Sequence, residues 1–507
     1  MRPLGGTKPR RFLASLALSS LAGLPLAPVP GLKFDFNWLR DRAQRLAVEP
    51  YHARPVTVPD WLRHLTYDQY RNIRFAPVKS WWNRDNLPFK LQFFHPGFYF
   101  DRTVQIYEVA NGDPKLIPFS AKYFDYGHNR IQPLPPTMGY AGFRIHHYLN
   151  LPGDELGVFL GASYFRFLCR NAVYGMSARG LAVNTGQAGG EEFPAFEDFW
   201  VERPAPNAGS IVVYALLDGP SAAGAYRFEI VPGEDTVMTV QAEIYCRKNP
   251  AVLGLAPLTT MFWHGKNTDF ETEDVRPEVH DSDGLMLHTG RGEWIWHPLN
   301  NPAAMRVMSF LDENPRGFGL IQRERNFEDY QDLEALYHRR PSTWVEPVGS
   351  WGRGSVRLVE LHTPDETNDN IVAFWVPAAL PLPGAPIALQ YKLHWFVDQI
   401  HPPGGFVAST RQGRSRTFEP ELRLFVIDFT GGGLEKEKPE SKIDPVVSVG
   451  AGATLAHVSL LKNPFNHTWR AAFAVKPDGS GQPVELRCFL RKDGAILTET
   501  WGYLWTP

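Results

Sequence analysis

Carboxylates and indoles crowd residues 276–302. The run Arg-Pro-Glu-Val-His-Asp-Ser-Asp-Gly-Leu, followed by Gly-Glu-Trp-Ile-Trp-His-Pro-Leu-Asn-Asn-Pro, sets Glu278, Asp281, Asp283 and Glu293 close to Trp294 and Trp296. Glycines and prolines bound the segment and predict sharp turns that surface as loops. Carboxyl groups beside exposed aromatic faces suit sugar chemistry. One carboxyl protonates a leaving glycosidic oxygen, another activates water or attacks, and flat rings receive the C–H faces of pyranoses. Taken alone, Asp-x-Asp-Gly is also ordinary turn chemistry, and that plainer reading of Asp281 and Asp283 stands beside the first. A calcium loop fits less well, because the periodic oxygen ligands and distal Glu of an EF-hand do not follow Gly284 at the required spacing.

A second carboxylate-rich stretch is Pro364-Asp-Glu-Thr-Asn-Asp-Asn-Ile-Val-Ala-Phe-Trp-Val-Pro377. Its polar half reads as a loop and residues 371–376 as a strand. Asp369 therefore falls where a scaffold strand begins, which would hold a reactive group rigidly, although in isolation it reads as a turn residue. Between these stretches and the amino terminus lies Tyr174-Gly-Met-Ser-Ala-Arg-Gly-Leu-Ala182. Ser177 lacks the second glycine of a nucleophile elbow, so a serine hydrolase is disfavoured. Tyr174 and Arg179 fit either sugar-hydroxyl recognition or internal hydrogen bonds. Cys169, Cys246 and Cys488 are far apart without zinc spacing, which predicts buried thiols, with one disulfide as the alternative, and the missing metal motifs agree with a reaction that uses no metal or other cofactor.

The elements that must carry these residues are mostly strands. Aromatic residues make up 13% of the 507-residue chain, with 44 Gly and 44 Pro, favouring many short strands joined by turns and hence an all-β fold. With 52 Lys+Arg against 54 Asp+Glu, the net charge of -2 carries no footprint for nucleic acid or an anionic membrane, and points to a neutral ligand. Arg2, Lys8, Arg10 and Arg11 precede an apolar run over residues 12–27, an export-signal pattern that makes residues 1–30 a leader and predicts a secreted or periplasmic protein. Short helices are expected over 36–46 and 66–71. A longer one is expected over 326–338, capped by Asn326 with Phe327, Tyr330, Leu333 and Tyr337 on one buried face. Strand patterns fill most of the rest. A Pro-rich patch and the run His401-Pro-Pro-Gly-Gly405 mark a boundary near residue 400, dividing residues 31–398, a large sandwich, from residues 399–507, a smaller immunoglobulin-like sandwich.

Six stretches taken together resemble the periplasmic glucan biosynthesis family OpgG/OpgD (MdoG/MdoD). They are Gly161-Ala-Ser-Tyr-Phe-Arg166, residues 174–182, residues 277–302, Tyr330-Gln-Asp-Leu-Glu-Ala335, Pro341-Ser-Thr-Trp-Val-Glu-Pro347 and residues 365–375. The resemblance implies a galactose-mutarotase-like supersandwich joined to an immunoglobulin-like domain. It also implies periplasmic location and a β-1,2-linked glucan as substrate, with a membrane-bound glucan synthase and a second copy of the chain as candidate partners. Family members are similar to inverting glycoside hydrolases that cut β-1,2-glucan internally with two aspartates. Carried over, these fall on Asp369 as general acid and Asp281 as general base. Direct inversion asks for carboxyls about 6.5–9.5 Å apart, whereas a proton relay through a substrate hydroxyl and waters tolerates more. Glu293, Trp294, Trp296, Tyr330, Tyr337, Arg339 and Trp344 are the candidate glucan subsites, each with a packing role as the alternative. If a sugar hydroxyl replaces water as acceptor, the same pair makes a transglycosylase, with cyclisation of the glucan as one outcome. A non-catalytic glucan-binding scaffold would use the aromatics and need no acid.

Overall fold

The structure, a computed structural model, describes residues 33–269, 272–397, 400, 402–414 and 421–507. The leader expected over 1–30 lies outside the described residues. The chain is mostly β, with 46% strand and 8% helix, in agreement with the all-β expectation.

Two large sheets share the main hydrophobic core. The first is antiparallel and runs in the order Lys90–Phe94, Gly142–His146, Glu155–Leu160, Tyr164–Phe167, Ser177–Arg179, Leu253–Thr260, Ile371–Pro377, Arg353–Glu360 and Arg306–Glu313. The second is mixed. It contains Gln105–Ala110, Ala195–Glu202, Ile211–Asp218, Ala222–Val231, Thr236–Cys246, Pro386–Phe396, Ser342–Val348, Gly317–Ile321, Gly284–His288 and Trp294–Pro298, and then continues into the carboxy-terminal strands Thr500–Trp505, Val484–Lys492 and Asp444–Val449. Sequence alternation explains how one face is buried. In Thr236–Cys246 the side chains of Met238, Val240, Ala242 and Ile244 enter the core, whereas Val237, Thr239, Gln241 and Glu243 are half-buried. Leu253–Thr260 is buried at every position, as expected of a strand in the middle of its sheet with apolar residues packed on both sides.

A separate four-stranded sheet, ordered Gly405–Arg414, Arg423–Gly431, Trp469–Pro477 and Ala453–Lys462, closes the carboxy-terminal end. Its Phe425, Trp469 and Phe473 share a core with Trp501 and Tyr503, and also with Met286, Trp296, Trp344 and Phe396 from the larger part of the chain. Strands cross the expected boundary: Ile295 pairs with Thr500 and Trp296 with Trp501 in parallel register.

Two of the expected helices form as read. Phe36–Val48 is capped by Asp35, whose carboxylate accepts the Trp38 N–H at 2.8 Å, and Tyr67–Arg71 carries a Thr66/Gln69 capping box. The helix expected over 326–338 does not form. Phe327–Tyr330 makes a single turn that stops at Gln331 (φ 56°), and the chain resumes as a 3₁₀ turn at Tyr337–Arg339. Asp332 supplies the reason, because its Oδ1 accepts the N–H groups of Glu334 (2.8 Å) and Ala335 (2.6 Å), a local alternative to the helical ladder. Tyr330 and Tyr337 are buried and stack at 5.8 Å, but Leu333 is 80% exposed. All three cysteines are buried and free, as expected.

Candidate active site

Asp281 and Asp369 are tethered to one short piece of backbone. The central strand Leu253–Thr260 pairs Thr260 with Ile371 and then leads into Met261 and Phe262. The Asp281 N–H donates to the Met261 carbonyl at 2.9 Å. The buried Asn370, next to Asp369, accepts the Phe262 N–H at 2.9 Å and donates to the carbonyls of Phe262 (3.0 Å) and Leu361 (2.9 Å). Asn370 has thereby satisfied both ends of its amide on backbone, which fixes where Asp369 can lie. Asp281 reaches the same place through the pairing of Phe262–His264 with Val279–His280.

The two carboxyl groups have different surroundings. Asp281 is 3% exposed and ion-paired to Arg340. Asp369 has a side chain 28% exposed, with Arg166 Nη2 at 3.4 Å; Arg166 is held in turn by its Nε donating to Ser177 Oγ at 2.6 Å. Burial pushes the Asp281 carboxyl up, the Arg340 guanidinium pulls it down, the Asp369 charge pushes it up and Arg166 pulls it down; the balance lies above the ordinary aspartate value. Each carboxyl therefore works within the field of the other.

Arg166 also lines a cleft of about 470 Å³ with Phe94, Phe100, Glu155, Val158, Leu160, Tyr164, Phe165 and Tyr174. Tyr174 donates to Glu155 Oε1 at 2.9 Å, while Arg144 donates to Oε2 at 2.8 Å and lies over the Phe94 ring at 4.4 Å. Aromatic faces alternating with hydrogen-bonding groups match a ligand that is apolar on its C–H faces and polar at its rim. Gly175 keeps this wall against the aspartate site, since a Cβ there would stand 2.9 Å from Arg340 Cβ.

The remaining expected residues divide into two groups. Tyr337 lies beside Arg340: its hydroxyl donates to Glu366 at 2.6 Å, and the Arg340 guanidinium lies 4.2 Å over its ring. Tyr330 packs behind it, fully buried, donating to the Glu324 carbonyl at 3.2 Å. Arg339 is exposed and donates to the Asn171 carbonyl at 3.1 Å; its neighbour Arg340 is the arginine that meets Asp281. Residues 276–302 are not a surface loop. Gly284–His288 and Trp294–Pro298 are strands of the second sheet, and their apolar residues turn inward.

Consequently the indoles are not open platforms. Trp296 and Trp344 are buried in the carboxy-terminal core, with Arg323 3.6 Å over Trp296. Trp294 lies between His288 (4.1 Å) and Trp344 (5.8 Å), and Glu293 is paired with Arg487 at 2.5 Å. Asp283 holds remote backbone instead of a local turn, since its Oδ2 accepts the N–H groups of Arg323 (3.0 Å) and Glu324 (3.1 Å). Ser177 is fully buried, and Arg179 is committed internally to Glu191 (2.5 Å) and Thr259 (2.7 Å).

Glu278, Glu324 and Asp329 bring carboxylate oxygens within 4.8 Å of one another, a geometry open to a cation. Lys266 Nζ sits among them at 3.2, 2.5 and 3.0 Å, so an ammonium already supplies the counter-charge. Sequence reasoning missed Arg340, Glu155, Phe94 and Phe100. Arg166 ends one of the six family-like stretches, and only adjacency to Arg339 points toward Arg340.

The family described as "Periplasmic glucan biosynthesis protein, MdoG" matches residues 34–505, and the chain belongs to that family of periplasmic proteins. It is 47% identical to glucans biosynthesis protein G of Ralstonia nicotianae over 94% of this chain and 97% of that protein. Against glucans biosynthesis protein G of Bradyrhizobium diazoefficiens the identity is 44%, covering 97% of this chain and 98% of the relative. A probable glucans biosynthesis protein D of Shewanella oneidensis is 43% identical, with 97% and 92% covered.

Proposed function

We propose that this protein is an endo-acting, inverting hydrolase of β-1,2-glucan, with Asp369 as general acid and Asp281 as general base. The observation that carries the reading is the common tether: Met261 and Phe262 hold the backbone of Asp281 and the side chain of Asn370 beside Asp369.

In this mechanism a glucan strand lies along the cleft beside Arg166, Tyr164 and Tyr174. Asp369, the more open carboxyl, gives its proton to the glycosidic oxygen as the C1–O bond breaks. Water adds to C1 from the opposite face and its proton passes to Asp281, leaving an inverted anomeric centre. Asp281 is too enclosed for direct contact with that water, with Arg340 on one of its oxygens. Its proton therefore arrives through a substrate hydroxyl and bridging waters. Asp281 then releases the proton to solvent, and Asp369 regains one. The displacement of Asp281 above the ordinary range makes it a stronger base, while Arg340 favours its ionised form.

The finer architecture follows the same family reading. Residues 31–398 form a galactose-mutarotase-like supersandwich and residues 399–507 an immunoglobulin-like sandwich, a view supported by the four-stranded sheet facing Asp444–Val449, Val484–Lys492 and Thr500–Trp505. Asp281→Asn and Asp369→Asn are each expected to lower turnover by about 10²–10⁴-fold without lowering the unfolding temperature. Normal activity in both variants would overturn the assignment.

A further inference from the structure

Outside the cleft, the loop after Lys90–Phe94 presents aromatic rings to solvent. Tyr99 is 83% exposed and Tyr67, from the adjoining helix Tyr67–Arg71, is 61% exposed. The rings form a connected series: Tyr67 lies 6.2 Å from Phe98, Phe98 lies 3.9 Å from Tyr99, and Tyr70 stacks on Phe98 (5.9 Å) and on Phe100 (5.7 Å). Phe100 is itself a wall of the cleft, as is Phe94 at the other end of the loop. The exposed rings thus continue the aromatic surface of the cleft outward.

This presentation is held against local preference. Phe98 adopts φ 53°, a left-handed conformation unfavourable for a bulky side chain. The surrounding contacts enforce it. Gly97 and Phe100 exchange N–H···O bonds at 2.9 Å each, the Phe98 N–H donates to the Leu62 carbonyl at 2.9 Å, and the Tyr70 hydroxyl donates to the His95 carbonyl at 2.8 Å. The capping box of Thr66 and Gln69 fixes the helix that carries Tyr67 and Tyr70. Strained backbone maintained by several independent bonds, serving to expose apolar rings, is characteristic of a ligand-holding surface.

We propose that Tyr67, Phe98 and Tyr99 form an outer subsite that holds an uncharged glucan strand where it leaves the cleft, by stacking pyranose C–H faces on the rings. The inference rests on the glucan-cleft reading above, and it adds a second holding point that favours long chains over short ones.

The test measures binding of linear β-1,2-glucan, as long chains and as oligosaccharides too short to extend beyond the cleft, to full-length protein. The Asp369→Asn background keeps the polymer intact. Adding Tyr67→Ala and Tyr99→Ala is expected to weaken long-chain binding by roughly tenfold and leave short-chain binding unchanged. Adding Tyr67→Phe and Tyr99→Phe instead is expected to retain long-chain affinity, since rings and not hydroxyls do the holding. Unchanged long-chain affinity in the alanine variant overturns the outer subsite while the cleft reading stands. Equal loss for long and short chains also overturns it as a separate subsite. Absence of binding to either glucan before the tyrosines are changed overturns the outer subsite together with the cleft reading.

Discussion

Asp281 is governed by opposed influences that a single substitution can separate. Burial raises its proton affinity and Arg340 lowers it. As the base, Asp281 must be ionised, so kcat/KM is expected to rise with pH through a limb above the ordinary aspartate value of about 3.9. Arg340→Gln removes a lowering influence, so the limb is expected to move to higher pH; Arg340→Lys keeps the charge and is expected to restore much of its position. A profile identical to that of the unaltered protein in Arg340→Gln would contradict this role. Legibility at this scale was limited by side-chain direction. The roles of Asp281 and Asp369 follow from the family resemblance, whereas nothing in residue type separates Arg339, which donates to the Asn171 carbonyl, from its neighbour Arg340, which meets Asp281. Only backbone geometry decides which one faces the carboxylate.

Secondary structure places another carboxyl under strain. Glu360 ends the strand Arg353–Glu360, opposite Ile371, fully buried; its Oε1 accepts the Asn300 N–H at 2.9 Å and its Oε2 has no partner. Burial pushes its pKa up to about 7, against the Asn300 N–H. A raised carboxyl pKa means that the folded state keeps a proton the unfolded state has released. Stability is therefore unaffected below about 4.3, falls as pH rises, and loses about 4 kcal/mol once the pH has passed about 7. Glu360→Gln is expected to reduce that slope in denaturant titrations and to be the more stable form at pH 8. An unchanged slope would count against it. The helices expected over 36–46 and 66–71 are legible because their signals, apolar spacing and an amino-terminal cap, are local. The helix expected over 326–338 failed for a local reason of another kind: Asp332 captured two backbone N–H groups, leaving Leu333 in solvent.

Across the whole molecule, the carboxy-terminal strands are joined to the large sheet by a buried ion pair. Arg323 meets Glu499 at 2.6 and 3.0 Å and donates to the Val407 carbonyl at 2.9 Å, and Glu499 accepts the Val407 N–H at 2.8 Å. Arg323→Ala leaves a buried carboxylate without its cation and is expected to cost about 3–5 kcal/mol in denaturant unfolding. Arg323→Met with Glu499→Leu is expected to recover most of that loss, whereas a double variant as unstable as the single would contradict the assignment. The fold class was readable from composition and strand spacing, but this junction was not. Parallel pairing of Trp294–Pro298 with Thr500–Trp505 links segments remote in the chain, so Trp296 and Trp344, expected as sugar platforms, are core, and Trp294 packs half-buried against them. The most direct measurement is product analysis of the purified protein with linear β-1,2-glucan, following chain length by chromatography and anomeric form by optical rotation. Shorter linear chains released with inversion are the expected result. Cyclic or elongated products, or an intact polymer despite binding, would contradict the hydrolase.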